Sequence, residues 1–150
     1  MKSGKIVTGM ILPLLLLISN INAQETVAAA DTSKRIFTID ECINEFSMKD
    51  TVGTGVGYQY WFFGKNFLDG RTVKMSVVGP HQATHAPHMH KEDEFMYVLE
   101  GTAELILNGK SRIVGPNSCF YCPPNTVHGF KNAGDTELKY LIFKKYIMEK

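Results

Sequence analysis

The run HMHKEDEFMYVLEG, residues 88–101, holds two histidines two positions apart, a carboxylate four further on, and a strand-like apolar stretch ending at a glycine. In an extended backbone, side chains two apart project from the same side, so His88 and His90 point the same way. Glu94 keeps even parity with both, and a bend over residues 91–93 or a strand beginning there returns its carboxylate to that side. A fourth donor must come from elsewhere, and His128 in PPNTVHGF stands at the head of a strand after a sharp turn. Imidazole and carboxylate suit Mn, Fe, Ni, Zn and Cu alike. Three histidines and one glutamate leave positions open on an octahedral ion for water or substrate. The HxH pair alone equally fits a solvated loop beside Lys91, Glu92 and Asp93, and His128 alone reads as a satisfied core or rim histidine.

Outward from this run the sequence is written in strands. YQYWFF and RTVKMSVV are rich in β-branched and aromatic residues, and Asp69-Gly70 is a hairpin signal. EFMYVL turns at Glu100-Gly101 into TAELIL, which turns at Asn108-Gly109 into KSRIV. CFYC turns at PPN into VHGF, and NAGD leads into the last strand, TELKYLIFKKY. Short strands at near-regular spacing predict an all-β sandwich or barrel, and the lack of long helices excludes parallel βαβ folds. Before the strands, TIDECINEFSMK predicts a short helix. Thr38 and Glu41 have capping-box spacing, Ile39, Cys42, Ile43 and Phe46 form one apolar face, and TVGTGVG breaks it.

The two ends of this pattern resemble the paired motifs of the cupin superfamily. The first motif is matched by His88, His90, Glu94 and Gly101, with Gln82 where a glycine usually precedes it. The second is matched by Pro123, His128 and Asn132, with Asn117 and Asn125 at its two glycine positions. Asparagine is the next-best residue for a left-handed turn position. The resemblance implies an antiparallel double-stranded β-helix, or jelly-roll barrel, and one divalent metal ion held by His88, His90, Glu94 and His128. It places His81 and His85 in a loop at the barrel mouth. The aromatics of YQYWFF, with Tyr97 and Tyr121, are expected to pack the core, one or two of them lining a ligand wall.

The N-terminus reads as an address. A short basic lead, the apolar run IVTGMILPLLLLI and a small residue at Ala23 predict a signal peptide over 1–23, too short to span a bilayer comfortably. A flexible lead over 24–35 and a single barrel domain over 36–150 follow. Removing Lys2 and Lys5 takes the basic count from 16 to 14 against 15 acids, so the secreted or periplasmic product is nearly neutral. That balance offers no electrostatic attraction for nucleic acid or anionic membranes. Cys119 and Cys122 form a CxxC in an extended setting with no helix start after it, and are expected as two buried apolar cysteines rather than a redox pair.

Fold alone does not fix function in such a family. The first expectation is a metal-dependent enzyme acting on a small polar, sugar-derived molecule by isomerase- or lyase-type proton transfer, in keeping with export away from nucleotide cofactors. Small cupins that open unsaturated uronic sugars are similar in size, but carry a carboxylate on the last strand that KYLIFKKY lacks. A non-haem iron dioxygenase and a non-catalytic sugar or metabolite binding module are the alternatives. The catalytic residue is left unassigned, and a homodimer is expected by analogy with single-barrel relatives.

Overall fold

The computed structural model describes residues 35–148, so the signal-like run and all but the end of the lead lie outside the described residues. The strands are β1 Val52–Thr54, β2 Gly57–Leu68, β3 Arg71–Val78, β4 Glu94–Glu100, β5 Ala103–Leu107, β6 Lys110–Val114, β7 Cys119–Cys122, β8 His128–Asn132 and β9 Leu138–Lys145. They make two antiparallel sheets, a six-stranded one ordered β1-β2-β3-β9-β4-β7 and a three-stranded one ordered β6-β5-β8. This is an all-β fold, as the turn spacing predicts, and the jelly-roll barrel that the resemblance implies. From β4 on the chain crosses between the sheets four times, at β4–β5, β6–β7, β7–β8 and β8–β9, and so wraps a core formed by Val78, Met96, Val98, Leu138 and Tyr140 from one side and Ala103, Leu105 and Phe130 from the other.

The turns fall where the sequence marks them. Asp69-Gly70 and Asn108-Gly109 all have positive φ (45° and 76°, 49° and 76°), the conformation whose twist suits a two-residue hairpin. Asn117 and Asn125 adopt φ of 64° and 54°, so the left-handed demand of the two motif glycines is met by asparagine. At the third departure the demand has moved: His81, beside Gln82, is the residue with φ 58°. Gln82 instead accepts the Asn132 backbone N–H at 2.8 Å.

Two expectations are corrected. The helix is one turn, α1 Ile39–Cys42, with its capping box formed but Ile43 already extended. A single turn gains few hydrogen bonds for the backbone it fixes, and the next residues are tied to the sheet instead. The Tyr60 hydroxyl donates to Asn44 Oδ1 at 2.6 Å and to the Glu45 carbonyl at 2.7 Å. The intended apolar face is left open, with Ile39, Ile43 and Phe46 exposed. The glycine-rich TVGTGVG, expected only as a breaker, is the β1–β2 hairpin, with Val52 opposite Gln59.

Asn132 closes the barrel from inside. It is fully buried, its amide donates to the carbonyls of Val78, Gly79 and Thr136 at 2.7–3.0 Å, and its oxygen accepts the Gly134 N–H at 2.9 Å. Replacing Asn132 by Ala strands these groups away from water. The expected outcome is a loss of about 3 kcal/mol of stability, read as a lowered urea midpoint at unchanged slope.

Candidate metal centre

Four side chains from three segments meet at one end of the barrel. His88 and His90 precede β4, Glu94 is its first residue, and His128 is the first residue of β8. A reciprocal backbone pair joins the segments: the His88 N–H donates to the His128 carbonyl and the His128 N–H to the His88 carbonyl, both at 2.9 Å. The left-handed Asn125 adds its N–H to the His90 carbonyl at 2.8 Å. The bend over residues 91–93 then returns Glu94 inward, as its parity requires.

The side chains converge accordingly. Ligating atoms of His88, His90 and His128 lie within 4.8 Å of one another. Glu94 Oε1 is 3.2 Å from His128 Nε2 and 3.6 Å from His90 Nε2. Burial deepens from exposed His88 through half-buried His90 to fully buried Glu94 and His128, so the cluster opens to solvent on the His88 side.

Each imidazole is oriented from behind. Nδ1 of His88, His90 and His128 contacts the carbonyls of Ala86, Glu92 and Thr126 at 3.2, 2.7 and 2.8 Å. A carbonyl oxygen only accepts, so Nδ1 carries the proton and Nε2 presents a lone pair inward. Nε2 of His90 and of His128 are buried without a hydrogen-bond partner. Buried acceptors beside a carboxylate call for a cation, and imidazoles held through Nδ1 are the usual arrangement around one. The donor set therefore fits a divalent transition-metal ion.

The sheet arranges what surrounds the cluster. Residues directly opposite in antiparallel strands share a face. The inward row through Glu94 reads Thr72, Lys144, Glu94, Cys122, and the next reads Trp61, Lys74, Ile142, Met96. Apart from Cys122, these rows line a cavity of about 170 Å³ with Gln59, Ser76, Thr84, His85, Phe130, Tyr140 and Tyr146. Lys144 lies 3.8 Å from both Glu92 and Glu94. Burial, then the nearby Glu94 and Glu92, push the Tyr146 hydroxyl above its ordinary range. Burial lowers His85, with His88 and Lys74 adding to the shift.

The remaining sequence expectations sort unevenly. His85 stands in the cavity wall, while His81 is outside it, paired with Asp135 at 2.8 Å. Trp61 lines the cavity and Tyr60 is core, but Tyr121 is exposed on the outer face, stacked on Phe95. The carboxylate nearest the start of the last strand, Glu137, is exposed and absent from the cavity wall, so among the described residues none replaces the one KYLIFKKY lacks. Only one of the CxxC cysteines is buried. Three-apart residues in a strand face opposite ways, so Cys122 points in and Cys119 out. Lys74 and Lys144 were missed as wall residues; their even parity with Ser76 on β3 and Tyr140 on β9 was the available signal, but it identifies no face until the core is known.

A model of the Cupin domain matches residues 74–144, which include His88, His90, Glu94 and His128. Mannose-1-phosphate guanylyltransferase RfbM of Salmonella typhimurium is 35% identical over 78 residues, 52% of this chain. That stretch is 15% of the enzyme's own length, so the likeness concerns one part of it. Among solved structures, the plu4264 protein of Photorhabdus luminescens superposes with a TM-score of 0.60 at 16% identity, covering 73% of this chain and 89% of that one. A sugar phosphate isomerase from Silicibacter pomeroyi gives 0.52 at 22% identity, covering 59% of each chain.

Cys122 is fully buried, and burial, with Glu94 adding to it, pushes its thiol up to about 12. It should therefore stay protonated and shielded at neutral pH. Brief iodoacetamide treatment of the native protein is expected to alkylate Cys119 and spare Cys122, with Cys122 reacting only after denaturation, as read by peptide mass spectrometry.

Proposed function

Because the chain belongs to the cupin superfamily, we propose that His88, His90, Glu94 and His128 hold one divalent metal ion in an enzyme that acts on a small, polar, sugar-derived molecule. The reaction class this reading favours is isomerase- or lyase-type proton transfer. The observation that carries it is the pair of buried, unpartnered Nε2 atoms on His90 and His128, facing Glu94. When bound, a divalent ion supplies a Lewis acid that polarises a carbonyl or hydroxyl oxygen.

The chain's own residues do the rest of the work in this reading. The carbonyls of Ala86, Glu92 and Thr126 fix the imidazole tautomers. Lys144 sits between Glu92 and Glu94 and moderates two carboxylates brought together at the mouth. Trp61, Phe130 and Ile142 give the cavity apolar walls, while Gln59, Ser76, Thr84 and Tyr140 offer groups that hydroxyls can bond. A cavity of about 170 Å³ suits a small ligand. Among the described residues the only carboxylate in its wall is Glu94, so a group there able to carry a proton besides the four donors is His85, Lys74, Lys144, Tyr140 or Tyr146. The sugar-derived substrate rests on the likeness to RfbM, whose name carries a sugar phosphate.

Two further parts of the reading rest on other observations. Export to the periplasm or beyond, and a role there in polysaccharide breakdown, are supported by the signal-like order of residues 1–23. A homodimer is supported by an apolar row on the outer face of the large sheet. Phe63, Val73, Phe143, Phe95 and Tyr121 stand opposite one another across five strands, and Phe143, Phe95 and Tyr121 are 40–46% exposed.

Elemental analysis of the purified protein is expected to find one divalent ion per chain. His128→Ala should weaken its binding by at least about 100-fold, the upper end of what losing even an outer partner costs. Glu94→Gln should lose turnover while keeping ligand binding. A protein that neither carries nor takes up an ion overturns the metal reading. Iron with oxygen-dependent turnover would assign dioxygenase chemistry instead, and ligand binding with no turnover under any metal would assign a binding module.

A further inference from the structure

One charge in the cavity wall is left over. Among the described residues the charged side chains lining it are Lys74, Lys144 and Glu94, two positive and one negative, so these carry +1 before any ion is counted. Lys144 and Glu94 are directly opposite on β9 and β4 and lie 3.8 Å apart. Lys74 has no such partner. Among the described residues it makes no ion pair or hydrogen bond, and its Nζ rests over the Trp61 ring, 4.9 Å from the centroid. Its surroundings press against its charge: burial is the larger influence and Lys144 adds to it, with Glu94 opposing both.

The register explains why this ammonium cannot simply leave. Lys74 stands between Trp61 on β2 and Ile142 on β9, in the interior row next to the one holding Lys144 and Glu94. Its strand is two away from β4, roughly 10 Å at ordinary strand spacing. The side chain thus enters the cavity from the same sheet as Glu94, but two strands away from it. A partly desolvated ammonium without a counter-ion is costly. An oxyanion delivered by a ligand would satisfy it, with the rest of that ligand reaching toward the four-donor cluster.

We propose that Lys74 is the anchor for an oxyanion, a carboxylate or phosphate, on the small molecule that occupies this cavity. The inference rests on the substrate reading above and narrows it to anionic molecules. It needs the cavity and the Lys74 charge, and does not need the ion to be present. Trp61 holds the ammonium in place through the ring face, and Gln59 and Ser76, in the next row along the same sheet, stand beside it to bond what the oxyanion carries.

The test uses the whole chain, metal-loaded and chelator-stripped, with three probes of one ring size: D-glucose, D-glucuronate and D-glucose 6-phosphate. Calorimetry is expected to show one or both anions binding at least about tenfold tighter than glucose, in both forms of the protein. Lys74→Met should bring the anions to the level of glucose while metal content and thermal midpoint hold. Lys74→Arg should keep the preference, which separates lost charge from lost fold. Preference for glucuronate alone or for the phosphate alone identifies which oxyanion the site takes. The proposal is overturned if neither anion binds, if glucose binds as well as they do, or if the Met variant keeps the preference. Failure of the metal reading is read separately, as wild-type protein that takes up no ion while the anion titrations proceed unchanged.

Discussion

The two hydrogen bonds between the backbones of His88 and His128 hold the functional end of this barrel together. Forty residues separate the partners, and neither sheet alone would bring them near. The pair forces the loop before β4 against the head of β8, so three imidazoles meet without any of them leaving its backbone's ordinary geometry. The motif turns serve the same junction. Asn125, in its left-handed conformation, grips His90 through its N–H, and Asn132, at the other end of β8, locks the loop after β3 through its side chain. A strand of five residues therefore positions the site at one end and closes the barrel at the other.

From that junction the electrostatics follow. The Nδ1 contacts commit every imidazole to presenting a lone pair inward, and Glu94 brings a negative charge to the same place. An all-acceptor cluster inside a protein is unstable on its own terms. Lys144 relieves part of it from the side, and a cation at the centre would relieve the remainder. The same large sheet turns Glu94, Lys74 and Lys144 to one face and its aromatic row, Phe63 to Tyr121, to the other, where Arg71 and Lys145 flank it. One face thus lines the cavity while the other carries half-exposed aromatic side chains.

From β2 onward, strand positions and hairpins were legible because their signals are local. Asp69-Gly70 and Asn108-Gly109 specify turns by what φ they tolerate, and the β-branched runs between them specify extended chain. The helix at Ile39 shows the limit of such reading. Its capping box formed as the spacing implied, yet the helix stopped after one turn, and the residues just beyond it, the Asn44 side chain and the Glu45 carbonyl, meet the Tyr60 hydroxyl instead. The cysteines show it again. Parity puts Cys119 and Cys122 on opposite faces, but only the position of the core decides that Cys122 is the one inside.

The sequence by itself determined the strands from β2 onward, the marked turns and the parity that lets His88, His90 and Glu94 share a side, since each depends on residues within a few positions of one another. Tertiary structure alone decided that the donors converge, that His85 faces the cavity while His81 does not, and that Lys74 enters it without a partner. Those outcomes depend on which strands become neighbours and in what register. In a sheet, a shift of one residue sends every side chain to the other face, so no local signal can carry them.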